Sequence, residues 1–203
     1  MPPQPSKALV LYSNDFDAGA PTVAPGITDS LTPGLIQTSV SVPPWWTGKY
    51  YANQTFSPTT LSLMGAVPAG PMDIDFTLGF LGSWDSSDGH GPPDYLDILI
   101  NGTPVLTQLT TNNASGTVQT YGGGTVVGKP VAASTDYIGS DTIVDMSTAA
   151  SLSFNHPGGT LTLQILGYGG GYTPNVTWPN GPNTPPNLCR RPSGMKAGGS
   201  TTW

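Results

Sequence analysis

Residues Met72–Leu106 read MDIDFTLGFLGSWDSSDGHGPPDYLDILINGTPVL. Ile74, Phe76, Leu78 and Phe80 alternate with Asp75, Thr77 and Gly79. That period of two puts one face of an extended chain in a core and the other toward water. Leu96, Ile98 and Ile100 repeat the alternation, and Asn101-Gly102 then supplies the two positive-φ residues of a tight hairpin before Val105 and Leu106. The stretch therefore predicts strands and a hairpin. Between the strands lies a loop carrying Asp85, Asp88 and Asp94 among Gly and Pro, where gathered acceptor oxygens suit a hard cation or a polar ligand.

The composition agrees with an all-β reading. The chain has 203 residues, a length that suits one domain with a sizeable core. Its 27 Gly and 22 Pro fall between alternating apolar runs, as they do where many short strands are joined by turns. Every acidic residue is Asp. Glu favours helix interiors and Asp favours turns and loops, so the bias opposes helix. Charged residues make up 9% of the chain, against ~25% in ordinary soluble domains. The net charge of −6 conceals an asymmetry: all 12 carboxylates fall at or before Asp145, while Arg190, Arg191 and Lys196 cluster near the end. An acidic body lacks the clustered cations that phosphate binding needs, which argues against nucleic acid as a partner. It also lacks the polybasic patch or amphipathic helix of a peripheral membrane binder. With no apolar run of ~20 residues, membrane insertion by a helix is not expected. Cys189 is the single cysteine, so no intrachain disulfide forms. The opening residues lack a charged segment followed by an apolar one, so no signal peptide is visible.

Further strands are expected at Lys7–Tyr12, Gly34–Val42, Leu61–Met64, Thr142–Met146, Ser151–Asn155 and Thr160–Leu166. Val67-Pro68-Ala69-Gly70-Pro71 reads as a turn, and Asn112–Lys129 as a long polar loop with irregular pairing. About ten such strands separated by turn signals suggest two packed sheets of jelly-roll or concanavalin-like type. The sandwich is expected to span residues 1–173, and 174–203 to form an irregular Pro/Gly-rich tail.

Several motifs come to nothing. GGTVVGK at Gly123–Lys129 approaches a phosphate loop, but Pro130 stands where Ser or Thr should bind magnesium. His90 and His156 are distant in sequence and have no Cys partner, which makes zinc a poor reading. No G-x-S-x-G elbow is present, and a glycosidase would have to use two Asp residues, because Glu is absent. The chain is therefore not expected to be an enzyme. The N-x-[ST] patterns at Asn53, Asn101, Asn113 and Asn175 are unsurprising in a chain so rich in Ser and Thr.

Two candidate sites remain. Asp85, Asp88 and Asp94 are candidate calcium ligands, with Asp15 or Asp17 able to join from the end of the first strand. The competing account gives these carboxylates to local turns and backbone N–H groups. Trp45, Trp46 and Trp84 are candidate ligand-binding residues. The first two stand with Tyr50 and Tyr51 around Gly48, a cluster that either covers the end of a core or stacks on a sugar ring.

Five motifs carry a resemblance: YSNDFD (Tyr12–Asp17), YANQT (Tyr51–Thr55), FTLGFLGSWD (Phe76–Asp85), PDYLDILING (Pro93–Gly102) and LSFNHP (Leu152–Pro157). In order and spacing the chain resembles, from Leu9 to Gly170, a family of bacterial exported β-sandwich proteins, many of which end in a PEP-CTERM sorting signal. The resemblance implies export, a surface or matrix role and no established catalytic residues. Such proteins usually close on a strand like DESWGIDNV, whereas this chain ends GMKAGGSTTW over Gly194–Trp203. One permitted choice of codons for that ending is GGG-ATG-AAA-GCT-GGG-GGA-TCG-ACA-ACG-TGG. Read two nucleotides late, they encode DESWGIDNV. The tail, from about Pro174, is accordingly expected to be an out-of-frame reading of a closing strand, irregular and largely exposed.

The function expected is that of a non-catalytic extracellular or cell-surface, matrix or ligand-binding sandwich, calcium-stabilised, with a glycan or matrix polymer as partner and with capacity for self-association. The alternatives are a virion or appendage structural protein and a carbohydrate-active enzyme working through Asp carboxylates.

Overall fold

The computed structural model describes residues 9–17, 19–32, 35–38, 49–53, 58–80, 94–110, 121–128, 142–169 and 193–196. Every strand pairing among them is antiparallel, and the fold is all-β and sandwich-like. The strands are β1 (Tyr12–Ser13), β2 (Thr22–Val23), β3 (Ile27–Leu31), β4 (Leu35–Thr38), β5 (Lys49–Asn53), β6 (Thr59–Gly65), β7 (Ala69–Asp73) and β8 (Thr77–Phe80). They continue with β9 (Asp94–Ile100), β10 (Thr103–Leu109), β11 (Thr125–Gly128), β12 (Thr142–Asp145), β13 (Ser153–Pro157), β14 (Leu161–Gly169) and β15 (Ser193–Lys196). Two 3-10 turns, Met146–Thr148 and Ala150–Leu152, precede β13.

A five-stranded sheet runs β10-β9-β14-β6-β3 and a six-stranded sheet runs β11-β12-β8-β15-β5-β4. Two ribbons, β1-β2 and β13-β7, complete the described pairing. One hydrophobic core joins both large sheets. Leu61, Leu63, Leu96, Ile98, Leu161 and Leu163 come from the first, and Leu78, Phe80 and Val144 from the second. The alternation read in the opening stretch is this burial: Ile74, Phe76, Leu78 and Phe80 are buried, while Asp73, Asp75 and Thr77 retain contact with solvent. The extended segment before β8 is held by other means than a ladder. Ile74 N–H donates to Leu152 O (3.0 Å), and Phe76 O accepts from Met146 N–H (2.9 Å), so the 3-10 turns act as its partner.

The hairpin at Asn101-Gly102 forms with φ of 50° and 75°, as a two-residue turn of this kind requires. Its second strand is irregular. β10 has two register shifts against β9, and the second sets Thr107 and Gln108 opposite Asp97. β11 also shifts, between Val126 and Gly128. These neighbouring edges of the two sheets therefore carry bulges, and β10 carries Pro104 as well, features that discourage further strand pairing.

Three local expectations are corrected. Ala69–Asp73 is a strand rather than a turn: among the described residues its one partner is β13, and an edge strand tolerates a proline such as Pro71 on the side that donates no ladder bond. Ile27–Leu31 is a strand that the mixed pattern ITDSL did not announce. The tail does supply a strand, because Ser193–Lys196 lies between β5 and β8, inside the six-stranded sheet. Proline bars a ladder only where its missing N–H is needed, and this run contains none. Backbone pairing does not demand alternating side chains.

Candidate functional site

Sheet register fixes where the connecting segments attach. Phe80 pairs with Thr142, Ser193 with Asn53, and Leu35 with Ala52, all toward one end of the six-stranded sheet. In the five-stranded sheet Asp94 pairs with Gly169, and Thr59 with Ile165, toward one end likewise. The short passages Leu31 to Leu35 and Asn53 to Thr59 bring those two ends together. A polar clasp marks the junction: Thr32 N–H donates to Thr60 O (2.9 Å), Thr60 N–H donates to Thr32 Oγ1 (2.8 Å), and the Tyr51 hydroxyl donates to Thr32 O. Segments 54–57, 81–93, 129–141 and 170–192 leave from and return to this end.

Asp85, Asp88 and Trp84 belong to 81–93 and lie outside the described residues, as do Trp45 and Trp46 in 39–48. Asp94 opens β9 with its Cα opposite Gly169; its side chain is not described. The attachment points separate the two groups. Segment 39–48 joins Thr38 to Lys49, a paired position at the end of the sheet opposite Phe80 and Asp94. The Asp-bearing segment and the Trp45-Trp46 segment are therefore anchored at opposite ends.

Three of the described carboxylates, Asp15, Asp97 and Asp145, accept from backbone N–H groups. Asp15 Oδ1 accepts from Asp17 N–H (3.0 Å), and beside it Asn14 Oδ1 accepts from Phe16 N–H (2.8 Å), an arrangement that supports Phe16 at φ 61°. Asp145 Oδ1 accepts from Ser147 N–H (2.9 Å) and caps the first 3-10 turn. Asp97 is buried in the middle of β9 and accepts from Gln108 N–H (2.7 Å), which pins the bulged residue at φ 57°. Sequence reasoning did not single out Asp97. Its one visible signal is a carboxylate inside the apolar run YLDILI. Among the described residues, no group of three or more His, Cys, Asp or Glu is placed to hold a metal ion.

A second polar cluster sits by the Asn101-Gly102 turn. Asn101 Oδ1 accepts from Thr162 N–H (2.8 Å), and Asn101 Nδ2 stands 3.5 Å from His156 Nδ1. His156 is buried, with Nε2 3.5 Å from Gly159 O and its ring edge-on to Phe154. Both nitrogens thus face internal polar atoms at the outer limit of hydrogen bonding. The Asn101 amide, the centre of one N-x-[ST] pattern, is occupied within the fold.

Two tyrosines are perturbed. Burial pushes the Tyr12 hydroxyl above its ordinary value of 10.0, the Asn14 hydrogen bond (3.2 Å) acts the other way, and Asp29 adds to the rise. Burial alone raises Tyr51, whose ring stacks on Phe16 at 5.8 Å. Both are neutral donors or acceptors within the fold, an arrangement that supports structure more readily than proton transfer.

Compared with protein-family models, with curated proteins and with solved structures, the chain shows no match. No helix among the described residues is long and apolar enough to cross a membrane.

Proposed function

We propose that the chain is a non-catalytic sandwich of jelly-roll or concanavalin-like type that works outside the cell as a surface, matrix or ligand-binding protein, with calcium held by Asp85, Asp88 and Asp94. The observation that supports this reading is that the strand ends flanking segments 54–57, 81–93, 129–141 and 170–192 lie at one end of the two sheets. Recognition residues are commonly carried on connectors that a rigid scaffold presents together. Three of the described carboxylates, Asp15, Asp97 and Asp145, are each engaged with a backbone N–H, a structural use that supports the non-catalytic reading. Likeness to the PEP-CTERM-sorted exported sandwiches, and an out-of-frame origin for the tail, belong to the same proposal. The coding DNA tests the latter: a shifted frame without DESWGIDNV ends it. The sandwich ends also divide the ligand question, with Trp84 on the Asp-bearing segment and Trp45 and Trp46 anchored at the other end.

Thermal unfolding in chelator and in about 10–100 mM calcium, a hundredfold excess over the affinity usual for such modules, tests the metal, and a panel of glycans in the same assay tests the ligand. Extracellular calcium modules bind at about 10⁻⁴ to 10⁻³ M. At a hundredfold excess over Kd, binding adds ~2.7 kcal/mol to the native state. For a chain of this size that is a rise of roughly 5–10 °C in Tm. Asp85→Ala with Asp88→Ala should abolish the rise. An unchanged Tm in the parent chain removes calcium from the reading, and turnover of a polysaccharide removes its non-catalytic character.

A further inference from the structure

β5 and β8 do not pair with each other. Each is hydrogen-bonded to β15, which fills the slot between them: Gly194 and Met195 lie opposite Ala52 and Tyr51 on one side and opposite Gly79 and Leu78 on the other. Tyr51 and Leu78 are both buried, so the slot runs past the core. The strand that fills it is four residues long and contains a glycine, which weakens a strand interior. It is also remote. Its partners lie more than a hundred residues earlier in the chain, and residues 170–192 separate it from the end of β14. Pairing at such sequence separation forms late, because the loop-closure cost precedes the contacts that offset it. Until then two facing strand edges stand open, and an open edge accepts any strand that supplies backbone donors and acceptors in register.

The geometry points to strand exchange: the slot between β5 and β8 accepts Ser193–Lys196 of a second copy of this chain as well as its own. The contacts made in trans are the same as those made in cis, so the choice between them rests on the connector and on protein concentration. Segment 170–192, extended at up to about 3.3–3.6 Å per residue, is long enough to reach a neighbouring molecule. Closure in cis retains the advantage of tethering, and the exchanged species grows with concentration during folding. This inference rests on β15 alone and is independent of the calcium and glycan reading.

Lys196 and Thr77 are register partners, and facing residues in an antiparallel pair lie at Cα separations of about 4.5–5.5 Å, within disulfide range. Full-length chains carrying Cys189→Ser with Thr77→Cys, and Cys189→Ser with Lys196→Cys, are mixed, co-refolded from denaturant under mild oxidation and separated without reductant. Exchange predicts a crossed dimer, one chain of each kind, in clear excess over the two homodimers combined, which random pairing of equal amounts would only equal. A tenfold increase in protein concentration should raise the fraction of protein in that dimer roughly tenfold while it is a minor species. The double variant Thr77→Cys/Lys196→Cys on one Cys189→Ser chain reports whether β15 occupies the slot at all, through an internal disulfide. Crossed dimers no more abundant than the two homodimers combined, with the double variant closing internally, overturn exchange. A double variant that fails to close overturns the slot assignment, and exchange with it.

Discussion

Asp97 has no local turn to make, and its partner Gln108 N–H is presented by a bulge on the neighbouring strand. The Asp97 carboxylate is buried while Gln108 is exposed, so removing the acceptor forfeits this hydrogen bond between the strand and the bulge. Asp97→Ala should lower unfolding stability by about 1–3 kcal/mol in denaturant titration, and Asp97→Asn, which keeps an acceptor oxygen, by less. Equal losses would show that the charge, not the bond to Gln108, is what matters there. The tyrosines give a pH prediction. A hydroxyl whose folded value is raised binds its proton more tightly in the native state than in the unfolded one. The stability this contributes is full below about pH 10 and is lost as pH rises from there through the folded-state values. Tyr51→Phe should lower stability at neutral pH, because the bond to Thr32 O is gone, and should flatten the alkaline decline. A decline unchanged in both Tyr51→Phe and Tyr12→Phe would assign it elsewhere. At this scale the sequence is readable where a residue answers to its own neighbours. Asn101-Gly102 could be read because positive φ is a property of the dipeptide, whereas the role of Asp97 depends on a bulge that no local pattern writes.

Elements follow the same rule. The runs at Leu61–Leu63 and Leu161–Ile165 alternate buried with partly exposed residues, whereas Leu96–Ile100 and Thr142–Val144 are buried on both faces, so their alternation in sequence is not an alternation in burial. β7 escaped notice because Gly70 and Pro71 are turn formers by composition, and only its pairing with β13 makes them strand residues. β15 escaped for a related reason: Ser-Gly-Met-Lys has no period of its own, and its place is set by two open edges elsewhere. If 174–203 were merely appended, deleting 193–203 would cost less than about 1 kcal/mol, the scale of surface changes. Because β15 bridges β5 and β8, the deletion should instead cost roughly 3 kcal/mol or more, from several ladder hydrogen bonds at about 1 kcal/mol each. Urea titration of the truncated and full chains decides between these outcomes, and a loss under 1 kcal/mol would return the whole tail to the irregular class. For the candidate site the limit is physical. Asp85 and Asp88 belong to one connector and Asp94 opens the strand that follows it, and whether their oxygens converge depends on backbone torsions among Gly, Ser and Pro that side-chain pattern does not encode.

The two sheets differ in order and in the origin of their strands, yet one core joins them. Ile98, from the middle of the five-stranded sheet, and Leu78, from the six-stranded sheet, are both buried and belong to the same apolar cluster. Chain connectivity reinforces the union, since the passages from β3 to β4, from β5 to β6 and from β8 to β9 each cross from one sheet to the other. Neither sheet can lose its order without uncovering the inner face of the other. The molecule should therefore unfold in one cooperative transition, with far-ultraviolet circular dichroism and aromatic fluorescence reporting the same midpoint. Ile98→Ala and Leu78→Ala each remove a buried side chain and leave a cavity, at a cost of about 2–5 kcal/mol. Although the two substitutions lie in different sheets, each should shift that single transition to lower denaturant as a whole. Two separated midpoints, with Ile98→Ala moving one and Leu78→Ala moving the other, would mean that the sheets unfold independently and that the shared core does not bind them into one unit.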